Sequence, residues 1–114
     1  MSEARLTSAV LAGALMRLAN HQGGFAAVIA KGDPTSGAIV VQMLEKGSFL
    51  GVYERMLDPS GQYLWSRSGP QGIENTEEIS EYFLRRRSRD PDLWLIELDV
   101  PDAERFIAEI LTEA

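Results

Sequence analysis

The sequence predicts a single α+β domain over residues 1–114, in which three helices pack on a five-stranded, mainly antiparallel sheet. Three segments carry apolar residues at helical spacing, and five others are short apolar runs bounded by turn residues. Along the chain these segments follow the order helix, four strands, helix, strand, helix. A chain of this length can bury a core of its own.

The fifth strand, predicted over residues 93–98, is the segment around which the rest is organised. Asp90-Pro91 precedes it and ends a helix, because proline disfavours helical geometry in the residue before it. Alternation places Leu93 and Leu95 on one face and the remaining apolar residues, Trp94, Ile96 and Leu98, on the other. A strand that is apolar on both faces is usually covered on both, so we expect it inside the sheet.

The first helix is predicted to begin at Thr7 or Ser8, either of which can cap it, and to end in residues 20–24. Its expected buried stripe consists of Val10, Leu11, Ala14, Leu15 and Leu18. Four strands follow at residues 25–31, 38–45, 49–57 and 62–66. Lys46-Gly47 and Asp58-Pro59-Ser60-Gly61 favour turns between them, and Gly51 predicts a bulge. The simplest arrangement is a four-strand antiparallel meander.

The second helix is predicted to begin at Asn75, with Glu78 completing a sequence typical of a capping box. Before it, residues 67–74 favour a mobile loop. The expected buried face of this helix is Ile79, Tyr82 and Phe83, and Glu81 can pair with Arg85 one turn on. A third helix follows Asp99-Val100-Pro101-Asp102, with the stripe Ala103, Phe106, Ile107, Ile110 and Leu111.

Composition excludes several kinds of chemistry. There is no cysteine, which removes disulfides, thiolate catalysis and cysteine-ligated zinc. The net charge of −6 is concentrated in residues 58–114, which hold six basic and thirteen acidic residues, and this argues against nucleic-acid binding. No apolar run reaches the length of a membrane span, and we expect no signal peptide. The sequence therefore predicts a cytoplasmic protein.

Two short motifs carry a resemblance to a known family. Asp90-Pro91-Asp92-Leu93-Trp94, followed by an aliphatic pair and Glu97, resembles the C-terminal signature of a bacterial family called domain of unknown function 1491. Gly32-Asp33 followed by Gly37-Ala38-Ile39 is similar to its middle signature, and Arg5-Leu6 with Arg17 to its N-terminal pattern. The resemblance implies an uncharacterised single-domain bacterial protein and assigns no activity.

The arginine cluster is the sharpest candidate site. Guanidinium groups of Arg85, Arg86 and Arg89 could bind an anion such as phosphate in fork geometry. The structural alternative is that these cations complement the negative end of a helix dipole, with Asp90 and Asp92 neutralising them. Consecutive arginines also point to different sides of a helix, so they cannot all contact one ligand.

A second candidate site comprises the carboxylates of Asp92, Glu97 and Asp99, which could serve a cation or acid–base chemistry. Structural roles are the alternative: Asp90 and Asp92 in the turn, Asp99 as cap of the last helix, and Glu97 paired with an arginine.

Other motifs are interpreted as structural. The loop from Gly32 to Gly37 has the glycine spacing of a P-loop but lacks the lysine and hydroxyl residue that should follow. His21 is the only histidine and is expected at an exposed helix end. The aromatic residues of the predicted meander, Tyr53, Tyr63 and Trp65, are expected in the core or in an interface.

We therefore expect a domain that is not an enzyme, uses no cofactor or metal, and binds a protein partner or itself as a homodimer, since the edges of its sheet need covering. The alternative is a small enzyme or anion-binding protein that uses Glu97 and Asp99 with the Arg85–Arg89 cluster.

Overall fold

A computed structural model describes residues 7–57, 59–68 and 75–111 of the chain. It confirms the predicted class, with three helices and a mixed, mostly antiparallel five-stranded sheet. The predicted loop at 67–74 lies mostly outside the described residues. The elements in order are α1 Ser8–His21, β1 Phe25–Ala30, β2 Ile39–Glu45, β3 Ser48–Leu57, β4 Tyr63–Arg67, α2 Thr76–Arg89, β5 Trp94–Asp99 and α3 Ala103–Ile110.

The strand order is β1-β5-β2-β3-β4, so β5 is internal, as its two apolar faces predicted. It runs parallel to β2 and antiparallel to β1. The four-strand meander is therefore corrected: only β2, β3 and β4 form one, and β1 pairs with β5 instead of β2. The physical reason is burial, because a strand apolar on both faces gains more between two neighbours than at an edge.

Each face of the sheet has its own core. Trp94, Ile96 and Leu98 pack with residues of α1 and α3 on one face, whereas Leu93 and Leu95 pack with residues of α2 on the other. The alternation predicted for β5 is confirmed. Among the helices in the described ranges, none is long and apolar enough to cross a membrane.

The buried stripe of α1 differs from the prediction. The helix buries Ser8, Ala12, Leu15 and Ala19, whereas Val10 is 51% exposed and Leu18 is 39% exposed. The prediction favoured large apolar residues, but alanines let the helix approach the sheet closely. The buried Ser8 hydroxyl donates to the Gly37 carbonyl at 2.6 Å. Thr7 is the cap of the helix, because its side chain accepts the Val10 N–H.

Local turn chemistry agrees with the sequence. Lys46 and Gly47 both have positive φ, as a tight hairpin turn requires. The register of β3 shifts by one residue beside Gly51, with Met43 opposite Gly51 and Leu44 opposite Phe49.

Candidate functional site

The arginine cluster lies beside an open pocket of about 410 Å³ at the C-terminal half of α2. We call it the arginine pocket, and its lining residues are Tyr82, Arg85, Arg86, Arg89 and Asp90. Asn75 caps the helix, and its side chain accepts a hydrogen bond from the Glu78 N–H at 2.9 Å. Ile79 and Phe83 are buried against the sheet, so the rotation of α2 is fixed and the side facing the pocket is defined.

Arg86 is committed to an ion pair with Glu54 of β3. Its Nη1 and Nη2 atoms contact both carboxylate oxygens, the second at 2.8 Å, and the Glu54 side chain is only 2% exposed. The Ser68 hydroxyl donates to the same carboxylate at 3.0 Å. These bonds satisfy a buried carboxylate, which would otherwise be costly, and they tie α2 to the sheet.

Tyr82 completes this arrangement from one turn earlier on α2. Arg86 Nη1 donates to the Tyr82 hydroxyl oxygen at 3.3 Å, and the guanidinium carbon lies 5.8 Å from the ring centroid. The hydrogen bonds to Glu54 raise the pKa of Arg86 further above its ordinary value. Arg86 is therefore a permanent cation whose charge is balanced by Glu54.

Arg87 points to a different side of α2. Its Nη2 atom donates to the Lys31 carbonyl at 2.7 Å and more weakly to the Pro91 carbonyl at 3.4 Å. It thus joins the end of α2 to the segment after β1, and it does not line the arginine pocket.

Arg85 and Arg89 remain, and both line the pocket one helical turn apart. Neither guanidinium group has a hydrogen bond or ion pair within the described part of the chain, and the predicted pair between Glu81 and Arg85 is not formed. Asp90, which also lines the pocket, uses Oδ1 to accept the Asp92 N–H at 3.2 Å, in agreement with its expected turn role. Among the described residues, Arg86 and Arg87 therefore bind protein groups, whereas Arg85 and Arg89 do not.

The candidate carboxylates of β5 lie elsewhere. Glu97 Oε1 accepts a hydrogen bond at 2.7 Å from the buried Gln42 side chain, not from an arginine as expected. Asp99 Oδ2 accepts the Gly47 N–H at 2.9 Å and so fixes the hairpin between β2 and β3. Neither carboxylate lines the arginine pocket, and the side chain of Asp92 is exposed.

The expectation that Asp99 caps α3 is wrong. The cap position is Asp102, which makes no side-chain capping bond, and Glu45 Oε1 accepts the free N–H of Ala103 at 3.1 Å. A carboxylate from β2 thus replaces the local cap. Over residues 7–57, 59–68 and 75–111, no group of three or more His, Asp or Glu residues could hold a metal ion.

The two family signatures meet in space. The Asp33 N–H donates to the Asp92 carbonyl at 3.0 Å, and Trp94 Nε1 donates to the Asp33 carbonyl at 2.8 Å. A Cβ on Gly32 or Gly37 would lie 2.0 or 2.1 Å from the Asp92 carbonyl oxygen, so both positions need glycine for close approach. The signatures therefore have a structural role, which fits the rejection of a P-loop.

Asp33 also organises its own loop. The backbone N–H groups of Ser36 and Thr35 donate to Asp33 Oδ2 at 2.8 and 3.0 Å, and these bonds lower the pKa of the Asp33 carboxyl below its usual value.

The remaining sequence candidates take structural positions. His21 is exposed in the last turn of α1. Tyr53 and Trp65 are partly buried against the core beside α1 and α3, and Arg67 lies 5.9 Å from the Tyr53 ring centroid. The side chain of Tyr63 is outside the described part of the structure.

β1, an edge strand of the sheet, exposes three large apolar side chains. The strand contains no charged residue, and it has only β5 as a neighbour in the sheet. Phe25 is 76% exposed, Ile29 is 53% exposed and Val28 is 40% exposed. α1 packs against this strand, and Val10 and Leu18 of that helix are also exposed.

Three features were not predicted from the sequence. Glu54 follows Val52 on the inward side of β3, and a charge in that alternation is a signal that a buried partner exists. Gln42 interrupts an apolar run in β2 in the same way, and its Oε1 atom has no hydrogen-bond partner among the described residues. The exposure of β1 gave no local signal, because its sequence is as apolar as that of a buried strand.

Comparison with known proteins gives one family. The family model described as "Protein of unknown function (DUF1491)" matches residues 6–108. A search of curated proteins gives no match.

Solved structures of similar proteins have the same fold. An NMR structure of a DUF1491 family protein from Caulobacter crescentus CB15 is 27% identical, with a TM-score of 0.75 and coverage of 95% of this chain and 94% of that one. A crystal structure of a DUF1491 family protein from the same organism is 27% identical, with a TM-score of 0.73 and coverage of 90% and 94%. The solution structure of protein Atu0922 from A. tumefaciens is 30% identical, with a TM-score of 0.71 and coverage of 85% and 87%.

Proposed function

The chain belongs to the DUF1491 family of proteins of unknown function, and we propose that it is a non-catalytic domain that binds a protein partner through the outer edge of β1. The observation that carries this proposal is an edge strand of six uncharged residues, four of which are exposed. An edge strand presents unpaired backbone N–H and C=O groups, and another strand can pair with them.

The other edge of the sheet supports the proposal by contrast. β4 has five residues and carries Arg67, whose Nη2 atom donates to the Leu50 carbonyl at 3.2 Å. A charged side chain is a common way to protect an edge strand. β1 has no charge of its own, and its only irregularity is a register shift between Val28 and Ala30. The regular part, from Phe25 to Val28, is the part that a partner strand would extend.

A second copy of the chain is the partner that we favour. Two β1 strands can pair antiparallel about a two-fold axis, so each copy would cover the same apolar side chains on the other. The charge distribution fits this choice: residues 1–57, which include β1 and α1, hold five basic and four acidic residues. Two copies that meet through this nearly neutral half avoid most of the repulsion expected between chains of net charge −6.

Static light scattering over a micromolar concentration range tests the proposal. The native chain should give the mass of a dimer, and Val28→Lys should give a monomer, because a lysine on the edge opposes strand pairing. Leu84→Lys is the matched control, since it also adds a lysine at an exposed apolar site, 68% exposed on α2, and should remain a dimer. A native chain that is monomeric throughout, or a dimer that Val28→Lys leaves unchanged, contradicts the proposal.

The enzyme alternative finds no comparable support. It requires Glu97 and Asp99 to act together with the arginine cluster, but both carboxylates accept hydrogen bonds from other groups and lie outside the arginine pocket.

A further inference from the structure

We infer that the arginine pocket is a binding site for a small phosphomonoester that carries a hydroxyl group, with Arg85 and Arg89 contacting the phosphate. This inference concerns a different surface from the β1 edge and stands independently of self-association. It rests on the way in which the structure distributes the four arginines of the cluster.

Among the described residues, two of the four arginines have protein partners and two have none. Arg86 binds Glu54, and Arg87 binds the Lys31 and Pro91 carbonyls. Arg85 and Arg89 have no ion pair in the described residues, although acidic side chains are numerous on this helix. Uncompensated positive charge is therefore concentrated on one side of α2, in a molecule that is acidic overall.

Helical spacing lets Arg85 and Arg89 act together. Residues four apart lie above one another on a helix, so both guanidinium groups can reach one ligand in the pocket they line. Consecutive arginines point to different sides of a helix, but residues four apart such as Arg85 and Arg89 do not. Two guanidinium forks match the charge and the oxygen geometry of a phosphate dianion.

Tyr82 supplies a further donor. Its hydroxyl oxygen accepts a hydrogen bond from Arg86, so its own hydrogen is left to donate to a ligand oxygen in the pocket. Arg86, fixed by Glu54, holds this phenol in place and is a positioning residue here.

Asp90 restricts the class of ligand. A carboxylate at the pocket wall repels polyanions, and the net charge of −6 does the same, so nucleic acid is disfavoured. The same carboxylate accepts a hydrogen bond from a ligand hydroxyl. A volume of about 410 Å³ fits a small molecule that has a phosphate at one end and a hydroxyl near it.

Isothermal titration at low salt with glycerol 3-phosphate tests the site. The native chain should bind saturably, and Arg85→Gln and Arg89→Gln should each weaken binding roughly tenfold or more, which is the loss expected for a charge-assisted hydrogen bond. Arg105→Gln is the matched control. It removes the same charge at an exposed site on α3 that pairs with Glu109, and it should bind like the native chain.

Propyl phosphate, which lacks the hydroxyl groups, should bind more weakly than glycerol 3-phosphate to the native chain. Asp90→Ala, which removes the hydrogen-bond acceptor, should bind the two ligands equally. Arg85 and Arg89 are exposed, so circular dichroism should show these variants folded. Absence of saturable binding, or equal binding by the native chain and both arginine variants, overturns the inference. Retention on heparin that the same variants lose, without binding of glycerol 3-phosphate, would assign the pocket to polyanions and also overturn it.

Discussion

The ion pair between Glu54 and Arg86 makes a quantitative prediction about stability. Arg86→Leu removes the ion-pair partner of Glu54, whose side chain is 2% exposed in the native structure, and leaves Ser68 as its remaining hydrogen-bond donor among the described residues. Removal of one partner from a buried pair costs about 3–5 kcal/mol. The Arg86 side chain is 28% exposed, so water partly screens the pair and we expect the lower end, about 3 kcal/mol.

The double variant Glu54→Leu/Arg86→Leu separates the pair from the charge that is left behind. Replacement of both partners by apolar groups leaves no buried charge, so its stability should lie within about 1 kcal/mol of the native value. Urea unfolding followed by circular dichroism measures all three differences. Arg105→Leu is the control, because its pair with Glu109 is exposed, at 71% and 53%, and should contribute less than about 1 kcal/mol.

A decrease in the free energy of unfolding of less than about 1 kcal/mol for Arg86→Leu, the value typical of a surface pair, would contradict this prediction. The prediction is also refuted if the double variant is less stable than Arg86→Leu alone, because the buried charge would then not be the source of the cost.

Three further predictions concern the contact between the two signatures. Trp94→Ala should cost about 3–5 kcal/mol in urea unfolding, because the side chain is 3% exposed and its Nε1 donates to a backbone carbonyl; a loss below about 1 kcal/mol would show that it is not a core residue. Gly32→Ala should lower the melting temperature, because the added Cβ would lie 2.0 Å from a carbonyl oxygen. Gly13→Ala in α1, whose added Cβ would lie 3.4 Å from the nearest atom, should raise stability by about 0.5–1 kcal/mol. A Gly32→Ala variant more stable than Gly13→Ala would contradict the prediction. The pKa of Asp33 is lowered in the folded chain, so its carboxylate contributes stability above its ordinary pKa of 3.8, and this contribution is lost as the pH falls below that value. Asp33→Asn should therefore lose less melting temperature in acid than the native chain. Parallel curves of melting temperature against pH for the two proteins would contradict the prediction.

Most of the fold follows from local sequence patterns. Helical spacing, turn residues and alternation are properties of neighbouring residues, and they gave the eight elements in their correct order. The place of β1 in the sheet depends on a pairing with β5, which is distant in the sequence, so no local pattern contains it. No local pattern predicts the buried face of α1 either, because its alanines are buried by the sheet beneath them and not by their own hydrophobicity.

The candidate site was predictable in composition and not in geometry. The run from Arg85 to Arg89 indicates an anion site, but only the structure shows that Arg86 pairs with Glu54 on β3 and that Arg85 and Arg89 have no ion pair among the described residues. Likewise, Glu97 stands between Ile96 and Leu98 in the sequence, but its partner Gln42 lies 55 residues away on another strand.

The insertion of β5 between β1 and β2 has a consequence for how the molecule folds. Among the described strands, β5 alone pairs with both β1 and the β2–β3–β4 meander, so these two parts of the sheet cannot join until residues 94–99 are in place. Long-range pairings of this kind must close large loops before they gain contacts, and they slow folding. We therefore expect the meander to form early and the docking of β5 with β1 to limit the rate, which leaves the apolar residues of β1 uncovered for most of the folding time.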